Sequence, residues 1–116
     1  MKFYELTDDD IRKILYDIFE CKKVSCIKRS KNFDEISCKM YTEWCTIDDN
    51  GKEIVDTIAD EITLRNPFDY SIYDAIDIGD FDIHNEDYIK LKQFCYAKGI
   101  YGKSIEWLFN NPYINK

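Results

Sequence analysis

Apolar residues near the start of the chain recur with the spacing of an amphipathic helix. The stripe at positions i, i+3, i+4, i+7 and i+8 consists of Ile11, Ile14, Leu15, Ile18 and Phe19. Thr7 precedes this stripe as a candidate cap, and the three aspartates at 8–10 would lie in the first turn, where the helix dipole favours negative charge. The pattern therefore predicts a helix over residues 8–20.

In the next segment apolar and polar residues alternate with a period of two, which is typical of a half-buried strand. The predicted buried positions of one strand are Ile36, Cys38, Met40 and Trp44. Val24 and Cys26 would share that buried face on a shorter strand, connected by the polar segment RSKNFD. This predicts an antiparallel hairpin in which Cys26 faces Cys38, both acting as small core residues.

The segment after this hairpin has two readings. DDNG at 48–51 could close a second hairpin through an Asn-Gly turn. However, four apolar residues recur at helical spacing, and strict alternation fails over 53–61. These four residues are Ile54, Val55, Ile58 and Ile62. We therefore predict a helix over about 52–64.

The remaining pattern is also helical. Asn66 and Pro67 begin a predicted helix that ends at Gly79, and Asn85 begins another that ends near Gly99. A last helix is expected over KSIEWLFN. The predicted fold class is α+β, as one compact domain over 1–116, with an N-terminal helix, a small antiparallel hairpin or sheet, and a helical C-terminal half.

Charge is distributed unevenly along the chain, although the net charge is only −7. Residues 1–47 hold nine acids and nine bases, residues 48–87 hold thirteen acids and two bases, and residues 88–116 hold one acid and five lysines. Five bases and no acid fall between Lys22 and Lys31. This sectoring creates a directional field, which affects partners and association rates more than the fold.

No motif for catalysis or metal binding stands out. The five cysteines lack the spacing of a zinc site, the acidic stretch lacks the calcium-loop pattern, and His84 is the single histidine. We expect no enzymatic activity, no cofactor and no metal. The start of the chain does not resemble a signal peptide and no apolar run could span a membrane, so the expectation is a cytoplasmic protein with reduced thiols and no membrane partner.

One segment resembles a known family. The tail FCYAKGIYGKSIEWLFNN resembles the helix-turn-helix of phage repressors and transposase-type DNA-binding domains, with Cys95, Gly99 and Ile100 at the matching positions. The resemblance implies a DNA-binding regulator that uses residues 88–111, with Lys103 on its recognition helix. This segment contains no arginine, although arginine makes the commonest specific base contact.

The stretch 69–87, DYSIYDAIDIGDFDIHNED, holds seven carboxylates and no lysine or arginine. A solvated face is one explanation for it. Carboxylates interleaved with aromatic rings also suit a surface that occupies a basic, nucleic-acid-binding groove. The residues expected to bind such a partner are Asp69, Tyr70, Tyr73, Asp74, Asp77, Asp80, Asp82, Glu86 and Asp87.

The favoured function is therefore that of a small acidic interaction protein. Its expected partner is a basic protein that binds nucleic acid, such as a nuclease, and it would not bind nucleic acid itself. In size and acidity the chain resembles phage-encoded inhibitors of bacterial defence nucleases and toxin-immunity proteins. That is a similarity of kind, which no motif narrows further.

Overall fold

A computed structural model describes residues 1–79 and 82–102 of the chain. The fold is mixed α+β, with helices and a four-stranded antiparallel sheet. A 3-10 turn at Phe3–Glu5 precedes the first helix. The helices are α1 (Asp8–Phe19), α2 (Ile72–Ala75) and α3 (Asn85–Ala97), and the strands are β1 (Lys23–Ser30), β2 (Glu35–Ile47), β3 (Glu53–Arg65) and β4 (Ile76–Asp77).

The first helix is confirmed, including its start. The Thr7 hydroxyl accepts a hydrogen bond from the Asp10 backbone N–H at 3.1 Å, and the Asp10 carboxylate accepts one from the Thr7 N–H at 3.1 Å. This reciprocal pair satisfies two of the backbone donors that a helix start leaves unpaired. Ile11, Ile14 and Leu15 are buried, so the predicted stripe faces the core.

The strands are ordered β1-β2-β3-β4, and each neighbouring pair is antiparallel. The face of the sheet that meets the helices carries Ile36 opposite Leu64 and Cys38 opposite Ile62, all buried. We call this the inner face and the opposite one the outer face. Because side chains alternate along a strand, the inner face of β2 continues through Met40 and Thr42. The core also contains Phe3, Leu6, Ile76, Ile78, Ile83, Leu91, Cys95 and Ile100.

The β1–β2 hairpin is confirmed, but the predicted burial of Cys26 is wrong. The ladder is irregular between Ser25 and Lys28, and Cys26 lies in this bulge with a φ of 55°. A bulge adds one residue to a strand and re-aims its side chains. Cys26 is therefore exposed, whereas Cys38 and Val24 are buried as predicted.

The predicted helix over 52–64 is wrong, because these residues form β3. Asn50-Gly51 closes a second hairpin, which was the other reading of the sequence. Gly51 has a φ of 78°, its N–H donates to the Asp48 carbonyl at 3.0 Å, and the Asp48 carboxylate accepts from the N–H groups of Asn50 and Lys52. A turn with a left-handed glycine matches the twist of the strands that flank it.

The β2–β3 hairpin extends beyond the rest of the sheet. β1 pairs with β2 only as far as Tyr41, and β4 pairs only with Thr63 and Leu64. Residues 43–59, which we call the arm, are therefore a two-stranded ribbon, and all of them are exposed except the half-buried Asp48. The molecule measures 70 × 26 × 22 Å. At about 3.4 Å per residue, each 13-residue strand spans roughly 44 Å.

The second half of the chain is less helical than predicted. The expected helix up to Gly79 is reduced to the single turn of α2, which leads into β4. The helix predicted after Asn85 is confirmed as α3, but its cap residue is His84 and not Asn85, and Gly99 follows the helix with a φ of 81°. The last predicted helix, KSIEWLFN, lies outside the described residues. No helix of the described ranges is both long and apolar enough to cross a membrane.

Candidate protein-interaction surfaces

Arg65 organises the first part of the predicted acidic surface. Its guanidinium donates to the Glu35 carboxylate at 2.8 Å and to the Asp74 carbonyl at 2.7 Å, and it lies 3.5 Å from the Asp77 carboxylate. It also lies over the Tyr70 ring, 5.9 Å from the centroid. Burial alone would lower the pKa of Arg65, but Glu35 and Asp77 outweigh it and raise that pKa. Arg65 therefore fixes these groups at the β4 edge of the sheet.

The two predicted tyrosines differ in how they are held. Tyr70 is 40 % exposed, and its carbonyl accepts a hydrogen bond from the Tyr88 hydroxyl at 2.6 Å. That hydroxyl also contacts the Pro67 carbonyl, so α3 anchors the turn before α2. Tyr73 is 62 % exposed, and it lies next to Asp74, whose carboxylate accepts from the Ser71 hydroxyl. Tyr73 is thus the more available anchor.

The second part of the acidic surface combines α3 with α1. Asp82 and Asp87 line one surface depression together with Asp17 of α1, Glu20 just after it, and Lys90. The Lys90 ammonium donates to the Asp17 carbonyl at 3.2 Å. Asp17 and Glu20 were not among the predicted residues, because only the tertiary fold brings α1 to this site.

The remaining predicted residues have different roles. Asp87 is half-buried and accepts the His84 backbone N–H at 3.1 Å, so it caps α3. Asp82 and Glu86 are exposed, and so is Asp69, which lies beside Gly102. Asp80 lies outside the described residues. The structure therefore divides the described residues between two acidic areas, one around Arg65 and one beside Lys90.

The arm presents an apolar cluster that sequence reasoning missed. Trp44 lies opposite Asp56 in the ladder, with Ile54 and Ile58 as its diagonal neighbours on the inner face. Trp44 is 49 % exposed, and the two isoleucines are 40 % and 38 % exposed. Trp44 was predicted to be buried, which is wrong, because no helix of the described residues reaches this far along the sheet.

Two polar atoms at the base of the arm are buried without a partner. Thr42 Oγ1 and Asp60 Oδ2 lack a hydrogen bond within the described part of the chain. Both residues lie on the inner face, where Thr42 is opposite Ile58 and Asp60 is opposite Met40. An unsatisfied buried polar group costs about 1–3 kcal/mol. A donor from a bound partner would relieve this cost.

The outer face of the arm combines apolar and acidic groups. Cys45 lies opposite Val55, and Ile47 lies opposite Glu53. Ile47 and Val55 are 76 % and 55 % exposed. A hydrogen bond to Glu53 raises the pKa of the Cys45 thiol, so this exposed cysteine is a poor nucleophile at neutral pH.

Two thiols in the core have strongly raised pKa values. Burial raises the pKa of Cys38 to about 11 and that of Cys95 to about 12. His84 is exposed at the start of α3. Over residues 1–79 and 82–102, no group of three or more histidine, cysteine or acidic side chains could hold a metal ion.

The helix-turn-helix resemblance is described only in part. After α3 and Gly99, Ile100 is buried, and the Tyr101 carbonyl accepts from the Asn66 side chain at 3.0 Å. Gly102 packs against Phe68, where an added Cβ would come within 2.9 Å. Lys103 and the rest of the proposed recognition helix lie outside the described residues.

The missed arm had a signal in the sequence. Its strands are rich in β-branched residues on both sides of an Asn-Gly turn, which is typical of a hairpin. In the structure β2 is five residues longer than β1, so part of it extends beyond its neighbour.

Comparison of the chain with protein-family models, with curated proteins and with solved structures finds no match.

Proposed function

We propose that this chain is a small acidic interaction protein that binds and inhibits a basic, nucleic-acid-binding protein, such as a nuclease. The observation that carries the proposal is the separation of charge across the sheet. The basic strand β1 forms one edge of the sheet, whereas Tyr73, Asp74 and Asp77 lie on α2 and β4 at the opposite edge. Asp82 and Asp87 extend the acidic surface to the end of α1. A polarised surface of this kind steers a positively charged partner to one side of the molecule.

Exposed aromatic rings next to this charge support the proposal. Tyr73 lies within the acidic surface, and Trp44 lies on the inner face of the acidic arm. Tryptophan and tyrosine are enriched among the few residues that carry most of the energy in protein interfaces. A basic side chain that entered at the base of the arm, next to Thr42 and Ile58, would also bring a donor close to Asp60. The inhibitor would act by occupying the groove, without catalysis and without a cofactor.

The experiment is capture of the partner from a lysate of the native host. Immobilised wild-type protein is expected to retain a basic nucleic-acid-binding protein at low salt and to release it at high salt or on addition of duplex DNA. D82N/E86Q removes two exposed charges from the acidic surface. This variant is expected to slow association about tenfold with little change in dissociation.

A matched variant controls for net charge. E5Q/D9N also removes two exposed carboxylates, but near the N-terminus and away from the acidic surface. It is expected to bind like the wild type. Equal binding by all three proteins would refute the acidic surface as the contact. Sequence-selective binding of duplex DNA by the chain itself, lost on Lys103→Glu, would instead support a DNA-binding regulator.

A further inference from the structure

The outer face of the sheet carries two halves of opposite charge. Near β1, three outer-face pairs of the ladder place Lys23 opposite Tyr41, Ser25 opposite Lys39 and, past the bulge, Lys28 opposite Ser37. The basic half is therefore formed by Lys23, Lys28, Lys39 and Tyr41, and it includes one exposed carboxylate, Glu61, opposite Lys39. The Nζ atoms of Lys23, across the ladder, and of Lys39, two residues earlier on β2, lie 5.5 and 6.0 Å from the centroid of the Tyr41 ring.

The arm supplies the other half of the same face. Glu43 lies opposite Thr57, two positions before the pair Cys45 and Val55. Beyond these, Ile47 lies opposite Glu53. The arm as a whole holds five carboxylates and one lysine. The acidic half is therefore formed by Glu43, Cys45, Ile47, Glu53 and Val55.

We propose that two copies of this chain pack their outer faces together around a two-fold axis, so that the acidic half of each lies on the basic half of the other. A two-fold interface uses the same patch on both copies, so each contact between opposite halves occurs twice. The reversed orientation would place carboxylates on carboxylates and lysines on lysines. Charge therefore selects one orientation of the two sheets.

The available area is sufficient for a weak dimer. Two strands of roughly 44 Å and the shorter β1, about 4.8 Å apart, present on the order of 600 Å² per copy. The total of about 1,200 Å² lies at the lower end of specific interfaces. Ile47 and Val55 of the acidic half would be covered, and Tyr41 would be the aromatic anchor of the basic half. An isolated two-stranded ribbon is marginally stable in water, so this contact would also stabilise the arm.

The dimer is independent of the proposed function, because it leaves the inner face of the arm and the acidic surface uncovered. Sedimentation velocity at several concentrations of the purified chain tests it. The wild type is expected to dimerise with a micromolar Kd, and raising the salt from about 50 mM to about 500 mM should weaken this by at least tenfold. Trp44→Ala, on the inner face, should dimerise like the wild type.

Charge reversal gives the decisive comparison. E43K/E53K makes the acidic half basic, and K23E/K28E makes part of the basic half acidic, and each variant alone should be monomeric. An equimolar mixture should form a heterodimer with an affinity within about threefold of the wild type, because both contacts then pair opposite charges. A monomeric wild type at about 100 µM, a mixture that stays monomeric, or a dimer that E43K/E53K leaves intact would each overturn the proposal.

Discussion

Lys98, just after α3, forms an ion pair with Asp10 in the first turn of α1, with Nζ 3.0 Å from Oδ1. Burial by itself would raise the pKa of Asp10, but hydrogen bonds from Lys98 and Thr7 outweigh it, so this pKa lies below its ordinary value of 3.8. The pair joins the end of one helix to the start of another. The carboxylate is thus both a cap and a link between α1 and α3.

Lys98→Met should remove the pH-dependent contribution that the ion pair with Asp10 makes to the free energy of unfolding. A carboxylate whose pKa is lowered by folding stabilises the native state above its unfolded pKa, and this contribution is lost as the pH falls through the folded pKa. At neutral pH the variant is expected to lose about 0.5–1 kcal/mol, since Lys98 is partly exposed. The deficit should shrink below pH 3.8, as measured by urea unfolding. Lys13→Met, on the exposed side of α1, should show no such deficit.

The thiols should fall into two classes in the native protein. Cys26 and Cys45 are exposed, whereas Cys21, Cys38 and Cys95 are buried. In dilute protein, iodoacetamide should therefore modify two thiols per native chain, Cys26 quickly and Cys45 more slowly because its pKa is raised, and all five after unfolding, as counted by intact mass. Modification of Cys38 in the native state would contradict the described core.

Glu53 should control the reactivity of Cys45. Because its hydrogen bond raises the pKa of the thiol, Glu53→Gln is expected to increase the thiolate fraction and accelerate labelling of Cys45 several-fold at pH 8. The rate at Cys26 serves as the internal control, since it lies on β1. An unchanged ratio of the two rates would show that Glu53 does not hold the thiol protonated.

Cys26→Gly should stabilise the protein. The residue has a φ of 55°, in the left-handed region where a side chain is unfavourable and glycine is not, and its own side chain is exposed. A gain of about 0.5–1 kcal/mol in the free energy of unfolding is expected. Cys26→Val should be destabilising, because β-branched residues tolerate this conformation least. Equal thermal midpoints for the two variants would contradict the bulge.

The helix α1 and the first hairpin could be predicted because each has one unambiguous period. The strand β3 could not, because Ile54, Ile58 and Ile62 are four residues apart. Residues four apart lie on nearly the same side of a helix. Because four is an even number, they also lie on the same face of a strand. Val55 completed the helical pattern although it lies on the outer face. The β-branched content was the better guide here.

The sequence indicated which residues form the acidic surface, but not which basic residues contact it. Exposure of Asp74, Asp82 and Glu86 follows from the cost of burying a carboxylate. The bases that relieve its repulsion are Arg65 and Lys90, which lie outside the stretch 69–87 and reach it through the ladder and the packing of α3 on α1. No local pattern marks such long-range partners. The bulge at Cys26 shows in the sequence only as Ile27, which packs against the core three positions after Val24 and so breaks the period of two.

A lysine at position 65 should not preserve the stability that Arg65 provides. The guanidinium contacts Glu35 through Nε and both the Asp74 carbonyl and Asp77 through Nη1, and a single ammonium cannot reproduce this fork. Arg65→Met is expected to lower the free energy of unfolding by about 2 kcal/mol, and Arg65→Lys by about half of that. Urea unfolding measures both. Full stability of the lysine variant would show that charge alone matters at this position.

Trp44→Ala should separate folding from partner binding. The half-exposed ring contacts only one face of a two-stranded ribbon, and cross-strand pairs of this kind contribute about 0.2–1 kcal/mol, so the core should remain folded. If Trp44 anchors the basic partner, the loss should appear as faster dissociation, by at least about tenfold, with little change in association. Biosensor traces with the captured partner measure both rates. Tyr16→Ala, which removes an exposed ring from α1, should leave both rates unchanged. Equal dissociation from the two variants would exclude the inner face of the arm from the interface and leave Tyr73 as the aromatic anchor.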